Sequence, residues 1–257
     1  MSAAALLELE QLRTQLAERE RDLAQLRASQ DEFLRAVSHD LRAPLRHITS
    51  YGPLVTELLQ DAGLQGEALN EAQEFLITMD QSARRMGRML DGLLVLSRIA
   101  YAPLQRQPVA LTALAHEVQA ALAASAQSRA VQWHIATDMP CVLGDAALLR
   151  QLLTELLANA LKFTRGCAPA QIAVTAETGA DGSIALRVQD NGVGFNPAQS
   201  AGLFGVFQRL HREAEFEGVG TGLAVVRAIA QRHGGEASAT AAPGAGCTLS
   251  VRLQASN

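Results

Sequence analysis

Residues 36–45, AVSHDLRAPL, place His39 beside an acid, Asp40, in a run whose apolar residues recur by threes and fours, with Pro44 one turn further on. That period predicts a helix. Pro44 lacks the N–H that would bond to the Asp40 carbonyl, so the helix is expected to bend just past the histidine. Upstream, from Leu6, a seven-residue frame sets Leu9, Leu16, Leu23 and Val37 at one core position and Leu12, Leu26 and Phe33 at the other. This is the seam of a coiled coil, weakened where Arg19 and Gln30 fall on it. The charges in QLAERERDLAQLR form its solvated face.

Downstream the helical pattern continues to about Gln60, and DAGLQG supplies a turn through Gly63 and Gly66. A second helix follows from about Glu67 to Ile99, its apolar or small residues Leu69, Ala72, Leu76, Met79, Ala83, Met86, Leu90, Leu93 and Ser97 recurring by threes and fours. Two long helices joined this way make an antiparallel hairpin with too little core of its own, so a second copy is expected to complete a four-helix bundle. After YAPLQRQP the pattern changes. A strand is expected near 108–111, a helix near 112–127, a strand at VQWHIA and a helix from Asp145 to Phe163. Strands at QIAVTAE and SIALRVQD, a helix from Gly222 to His233, and strands at GEASAT and CTLSVRL complete the series. The fold class expected is α followed by α+β: a dimeric hairpin bundle, then an α/β sandwich with one sheet covered by helices. The divisions are 1–35 coiled coil, 36–102 hairpin, 103–107 linker and 108–257 second domain.

Composition narrows the function. Of 257 residues, 48% are apolar and 19% charged, which excludes a disordered chain. A net charge of -4 without a basic stripe excludes a nucleic-acid surface. Cys141, Cys167 and Cys247 are scattered and show no CxxC spacing, which excludes a disulfide framework or a zinc site. No stretch reaches the roughly 18 apolar residues of a membrane span, so this segment is expected to be cytoplasmic.

Four blocks in the second half carry chemistry. In ELLANALKFT, Glu155, Asn159 and Lys162 follow helical spacing and share a face, a set suited to a hydrated cation and the phosphates it bridges. In VQDNGVGF, Asp190 ends an apolar strand and can accept from an exocyclic amine, while Gly192 and Gly194 allow close approach of a flat ligand. LFGVFQRLH carries Phe204 and Phe207 ahead of a charged stretch. In EGVGTGLAVVRAIAQRHGG, Gly218, Gly220 and Gly222 lead into an apolar helix, whose N-terminus suits phosphate. No GK[ST] follows, which excludes a Walker loop, and no βαβ unit surrounds it, which excludes a dinucleotide fingerprint.

In this order the blocks resemble the N, first G, F and second G boxes of sensor histidine kinases, and AVSHDLRAPL resembles their H box, in the phytochrome-type style of SHDLRAPLR with FQRLH. The resemblance implies an ATP- and Mg²⁺-dependent kinase of two-component signal transduction. It makes His39 the phosphoacceptor and Asp40 its adjacent acid. It makes Asn159 a magnesium ligand, Lys162 a phosphate contact and Asp190 the adenine reader, with Gly192, Gly194, Gly218, Gly220 and Gly222 framing the nucleotide. Arg209 and His211 are placed near the terminal phosphate. Glu155 stands where the family often has asparagine, which leaves its part open between metal binding and proton transfer. Ala43 stands where many relatives carry Thr or Asn, so weak phosphatase activity is expected. The partners implied are a second copy, an external response-regulator receiver, and a sensor that this chain, with only MSAAA ahead of Leu6, does not contain. The alternative is a phosphotransfer adapter whose second domain has lost ATP.

Overall fold

The structure, a computed structural model, describes residues 3–63, 65–123, 129–211 and 215–254. The chain divides into two compact units, Met1–Tyr101 and Ala102–Asn257.

The first unit is a helical hairpin. Helix α1 spans Ala3–Asp61 without interruption, with Pro44 and Pro53 inside it, and α2 spans Glu67–Tyr101. A long helix tolerates proline at the cost of one backbone bond, provided its faces are otherwise held. The turn between them needs backbone that side chains rarely adopt, and Gly63 (φ 73°) and Gly66 (φ 74°) supply it. Among the contacts that tie the helices together, Arg42 donates to Asp91 at 2.8 Å, and the Tyr101 hydroxyl bonds the Gln30 side chain. Gln30, read as a weak point of the seam, is thus a tether to the far end of α2. The shared core is thin, with Ser38, Ala83, Ser97 and Ile99 buried. Leu12, Leu16 and Phe33 of the expected seam stay exposed, as do Phe75, Ile77 and Met86 of α2. The side chains of Leu9, Leu23 and Leu26 lie outside the described residues.

In the second unit, β1 (Arg106–Ala110) pairs antiparallel with β3 (Cys141–Asp145), Arg106 opposite Asp145. The main sheet has five strands in the order β2 (Val131–Ile135), β4 (Ala170–Thr178), β5 (Ile184–Asp190), β7 (Cys247–Leu253) and β6 (Glu236–Ala241). Only β2 and β4 run parallel; the other pairs are antiparallel. Alternation sets its packing: Ile172 and Val174 of β4 and Leu186 and Val188 of β5 are buried, while Gln171 and Gln189 face outward. Helices α3 (Leu111–Leu122), α4 (Ala146–Phe163) and α5 (Gly222–Arg232) cover the buried face. At the centre, α4 buries Leu149, Leu152, Leu153, Leu156 and Leu157, each contributing roughly 2 kcal/mol over an exposed position.

Three expectations are corrected. The strand Cys141–Asp145 was missed, and Asp145 is not the first helical residue but the N-cap of α4, its carboxylate accepting from the N–H groups of Ala147 (3.0 Å) and Leu148 (3.1 Å). The first strand begins at Arg106 rather than Pro108, since an edge strand with one proline still pairs. Helix α3 ends at Leu122 rather than Gln127, and 124–127 of its expected length lie outside the described residues.

Candidate active site

His39 projects from α1 into solvent, its side chain 86% exposed, while its neighbour Ser38 is buried. One residue is about 100° of helix, so the burial of Ser38 turns His39 outward. Its Nδ1 lies 3.2 Å from Asp40 Oδ1. In the tautomer that donates to this carboxylate, Nδ1 carries the hydrogen and Nε2 presents its lone pair to solvent.

The second unit builds a cradle where the C-terminal half of α4, the loop after β5 and the N-terminus of α5 meet. Glu155, Asn159 and Lys162 share one face of α4, as their spacing requires, and Gly222 at the start of α5 faces them. A Cβ on Gly222 would lie 2.5 Å from Glu155 Oε2 and 3.9 Å from Asn159 Nδ2. A Cβ on Gly218 (φ +127°) would lie 3.8 Å from Lys162 Nζ. Burial pushes the Glu155 carboxyl up, opposed by Lys162, and pushes the Lys162 ammonium down. The side chain of Thr221 does not cap α5, so an anion can take that place.

Asp190 ends the central strand β5 and is 7% exposed. The N–H of Gly192 donates to its Oδ1 at 2.8 Å, and burial pushes the carboxyl up to about 6 against that bond and one from the Cys247 backbone. The loop beyond is braced on α4, Val193 N–H donating to the Phe163 carbonyl at 3.3 Å. At Gly192 a Cβ would meet that same carbonyl oxygen at 2.5 Å. Gly194 (φ +58°) packs against the Ala242 carbonyl, leaving no room for a side chain.

Of the F-block residues, Phe204 is buried, and Phe207 holds a left-handed φ of 63° while its N–H donates to the Gly220 carbonyl at 2.8 Å. That bond joins the F block to the glycine turns. Arg209 donates to the carbonyls of Phe216 (2.7 Å) and Gly218, thereby shaping the glycine segment. His211 packs with Phe163 and Phe216, ring centroids 5.3 Å from each.

Sequence reasoning missed three participants. Arg165 pairs with Glu217 across the cradle. Phe163 carries the Lys162 ammonium 4.5 Å above its ring. Cys247, the register partner of Asp190, has its thiol pushed up to about 12 by burial and by the Asp190 charge. The strand alternation of CTLSVRL was the available signal for Cys247; the other two had none.

The donor set fits magnesium. Glu155 and the Asn159 carboxamide are hard oxygen ligands, and among the described residues no group of three or more His, Cys, Asp or Glu converges. Two oxygen donors suit Mg²⁺, which usually keeps several waters and is bound by few protein groups plus substrate phosphates. Among the described residues no helix is long and apolar enough to cross a membrane.

Comparison with known proteins matches a separate family to a part of each unit. Residues 29–101 match the His Kinase A (phospho-acceptor) domain, and residues 144–257 match the family described as histidine kinase-, DNA gyrase B- and HSP90-like ATPase. Cyanobacterial phytochrome A of Nostoc sp. is 33% identical over 91% of this chain and 30% of its own length. The probable sensor histidine kinase TcrY of Mycobacterium tuberculosis is 34% identical over 83% of this chain and 43% of its own. The aerobic respiration control sensor protein ArcB of Escherichia coli is 27% identical over 89% and 29%. The chain thus spans less than half the length of these relatives. Among solved structures, full-length ShkA in complex with AMPPNP aligns with a TM-score of 0.60 at 24% identity, covering 86% of this chain and 45% of that one. The Acinetobacter baumannii histidine kinase AdeS aligns with a TM-score of 0.57 at 18% identity, covering 85% and 98%; both share the fold.

Proposed function

This chain is a two-domain transmitter homologous to the sensor histidine kinases, and from that premise we propose that it phosphorylates its own His39 from ATP and passes the phosphoryl group to an aspartate of a separate response regulator. The observation that carries the reading is His39 itself, exposed on α1 with Nδ1 held by Asp40, so that Nε2 is the nucleophile. Nε2 bonds to the terminal phosphorus as that phosphorus parts from the bridging oxygen and ADP leaves; Asp40 takes up the Nδ1 proton. The phosphoramidate then transfers to a carboxylate of the receiver.

In the cradle, Asp190 accepts from the adenine amine, Gly192 and Gly194 admit the ring, and Lys162 with the turns at Gly218, Gly220 and Gly222 holds the phosphates. Asn159 and Glu155 are the residues to hold magnesium, which when bound neutralises phosphate charge. Transfer of this kind asks the protein mainly for positioning and charge. The working form is a homodimer whose bundle is completed by a second copy, with 1–35 as signalling coiled coil, 36–102 as the phosphotransfer hairpin and 108–257 as the catalytic domain. Stimulus comes from a sensor outside residues 1–257.

The test is incubation with γ-labelled ATP and Mg²⁺. Acid-labile, base-stable label on the protein, absent from a His39→Gln variant that still binds nucleotide, is the expected result. A chain that takes no label and binds no nucleotide would leave the adapter reading in its place.

A further inference from the structure

Three cations border the glycine turns of the cradle. Lys162 lies in the last turn of α4, Arg165 follows that helix, and Arg209 comes from the F block. Two anions act on Lys162, Glu155 of α4 and Glu217. Glu217, next to Gly218, forms a two-oxygen pair with Arg165, each guanidinium Nη facing one carboxylate oxygen. Hydrogen bonding from Arg165 first, and then the charges of Arg165 and Lys162, hold the Glu217 carboxyl below its usual range, although burial opposes this. At Lys162, burial pushes the ammonium down; Glu217 opposes that, while Arg209 and Arg165 add to it. Lys162 therefore lies within electrostatic reach of the other three groups, and Glu217 within reach of both Lys162 and Arg165.

Glu217 is not a loosely tethered surface acid. Arg209 donates to the carbonyls on both sides of it, those of Phe216 and Gly218, and the Phe216 ring packs on Phe163 with centroids 5.0 Å apart. Its backbone is thus fixed while its side chain stays 65% exposed. A planar, doubly hydrogen-bonded carboxylate on a guanidinium has the geometry of a phosphate on the same group. We propose that Arg165 is a further phosphate-binding residue of the cradle and that Glu217 is its internal stand-in, displaced when the outer phosphates of a nucleoside triphosphate arrive. This rests on the nucleotide-binding reading above and adds a residue and a competitor to it. Glu217 then sets selectivity: a ligand must bring enough negative charge to take Arg165 from it, which a triphosphate does better than a diphosphate and a bare nucleoside does not.

The experiment is calorimetric titration of the 257-residue chain and its variants with three probes: a non-hydrolysable ATP analogue with Mg²⁺, ADP with Mg²⁺, and adenosine. Glu217→Gln is expected to tighten the triphosphate roughly three- to tenfold, ADP less and adenosine not at all. Arg165→Gln is expected to weaken the triphosphate by a similar factor and spare adenosine, whereas Arg165→Lys keeps part of the affinity. With Arg165 already replaced, Glu217→Gln should gain nothing. An Arg165→Gln variant that binds the triphosphate as the parent does, or a Glu217→Gln variant that binds it more weakly, overturns the inference and leaves the pair a surface brace. A parent chain that binds none of the three probes fails the nucleotide reading itself, and this inference with it; a parent that binds all three, with variants that match it, fails this inference alone.

Discussion

Burial shifts the Asp190 carboxyl up to about 6, so its capacity as an acceptor changes within an accessible range. Ionised, it accepts strongly from an exocyclic amine; protonated, it accepts weakly. Adenosine affinity is therefore expected to fall as the pH drops from about 7 to about 5, and calorimetry across that range should show the loss, with an Asp190→Asn variant weak and flat throughout. The sign for stability runs the other way. The folded chain keeps this proton to a higher pH than the unfolded chain, so the group favours folding in acid and that contribution disappears as pH rises through about 6. The position of Asp190 at a strand end before two glycines was legible in the sequence; its depth was not, because that depends on the turn before β7. Gly246 in that turn (φ +81°) lies so close to the Asp190 carbonyl oxygen that a Cβ would come within 2.0 Å of it. Arg165 and Glu217 were illegible for a related reason: exposed charges 52 residues apart carry no periodic signal.

At the scale of elements, the long apolar helices and alternating strands could be read, whereas Cys141–Asp145 could not. CVLGD is too short for its alternation to stand out, and its last residue doubles as a helix cap. Glycine positions offer a sharper test of how tightly elements meet. Gly246 and Gly244 share positive φ values of 81° and 71°, but nothing lies within 4 Å of a Cβ on Gly244. Gly244→Ala should then cost only its backbone strain, about 1 kcal/mol, and Gly246→Ala at least about 2 kcal/mol more because backbone must move. Thermal unfolding of the two variants side by side measures the difference, and equal melting temperatures would contradict the packing described.

For the whole molecule, the hairpin leaves Leu12, Leu16 and Phe33 of α1 exposed together with Phe75, Ile77 and Met86 of α2. The proposed second copy would cover apolar area of this kind. Sedimentation should give a dimer, and Phe33→Glu should weaken it by at least tenfold, the effect of about 1.4 kcal/mol or more on burying a charge in place of a ring; an unaltered chain that sediments as a monomer would rule the bundle out. The periodic leucines made this expectation possible from sequence, since an unpaired seam is as visible in a chain as a paired one.

The sheet order has a last consequence. Strand β5 is bracketed by β4 and β7, and Asp190 is its final residue; the side proposed for the phosphates, by contrast, is made of turns that lead into α5 and are tied by the Arg165–Glu217 pair to the segment just after α4. Interior strands open last and turns first. If a nucleotide binds as proposed, its two ends are received on different clocks: the base meets a rigid anvil, and the phosphates a more yielding hand.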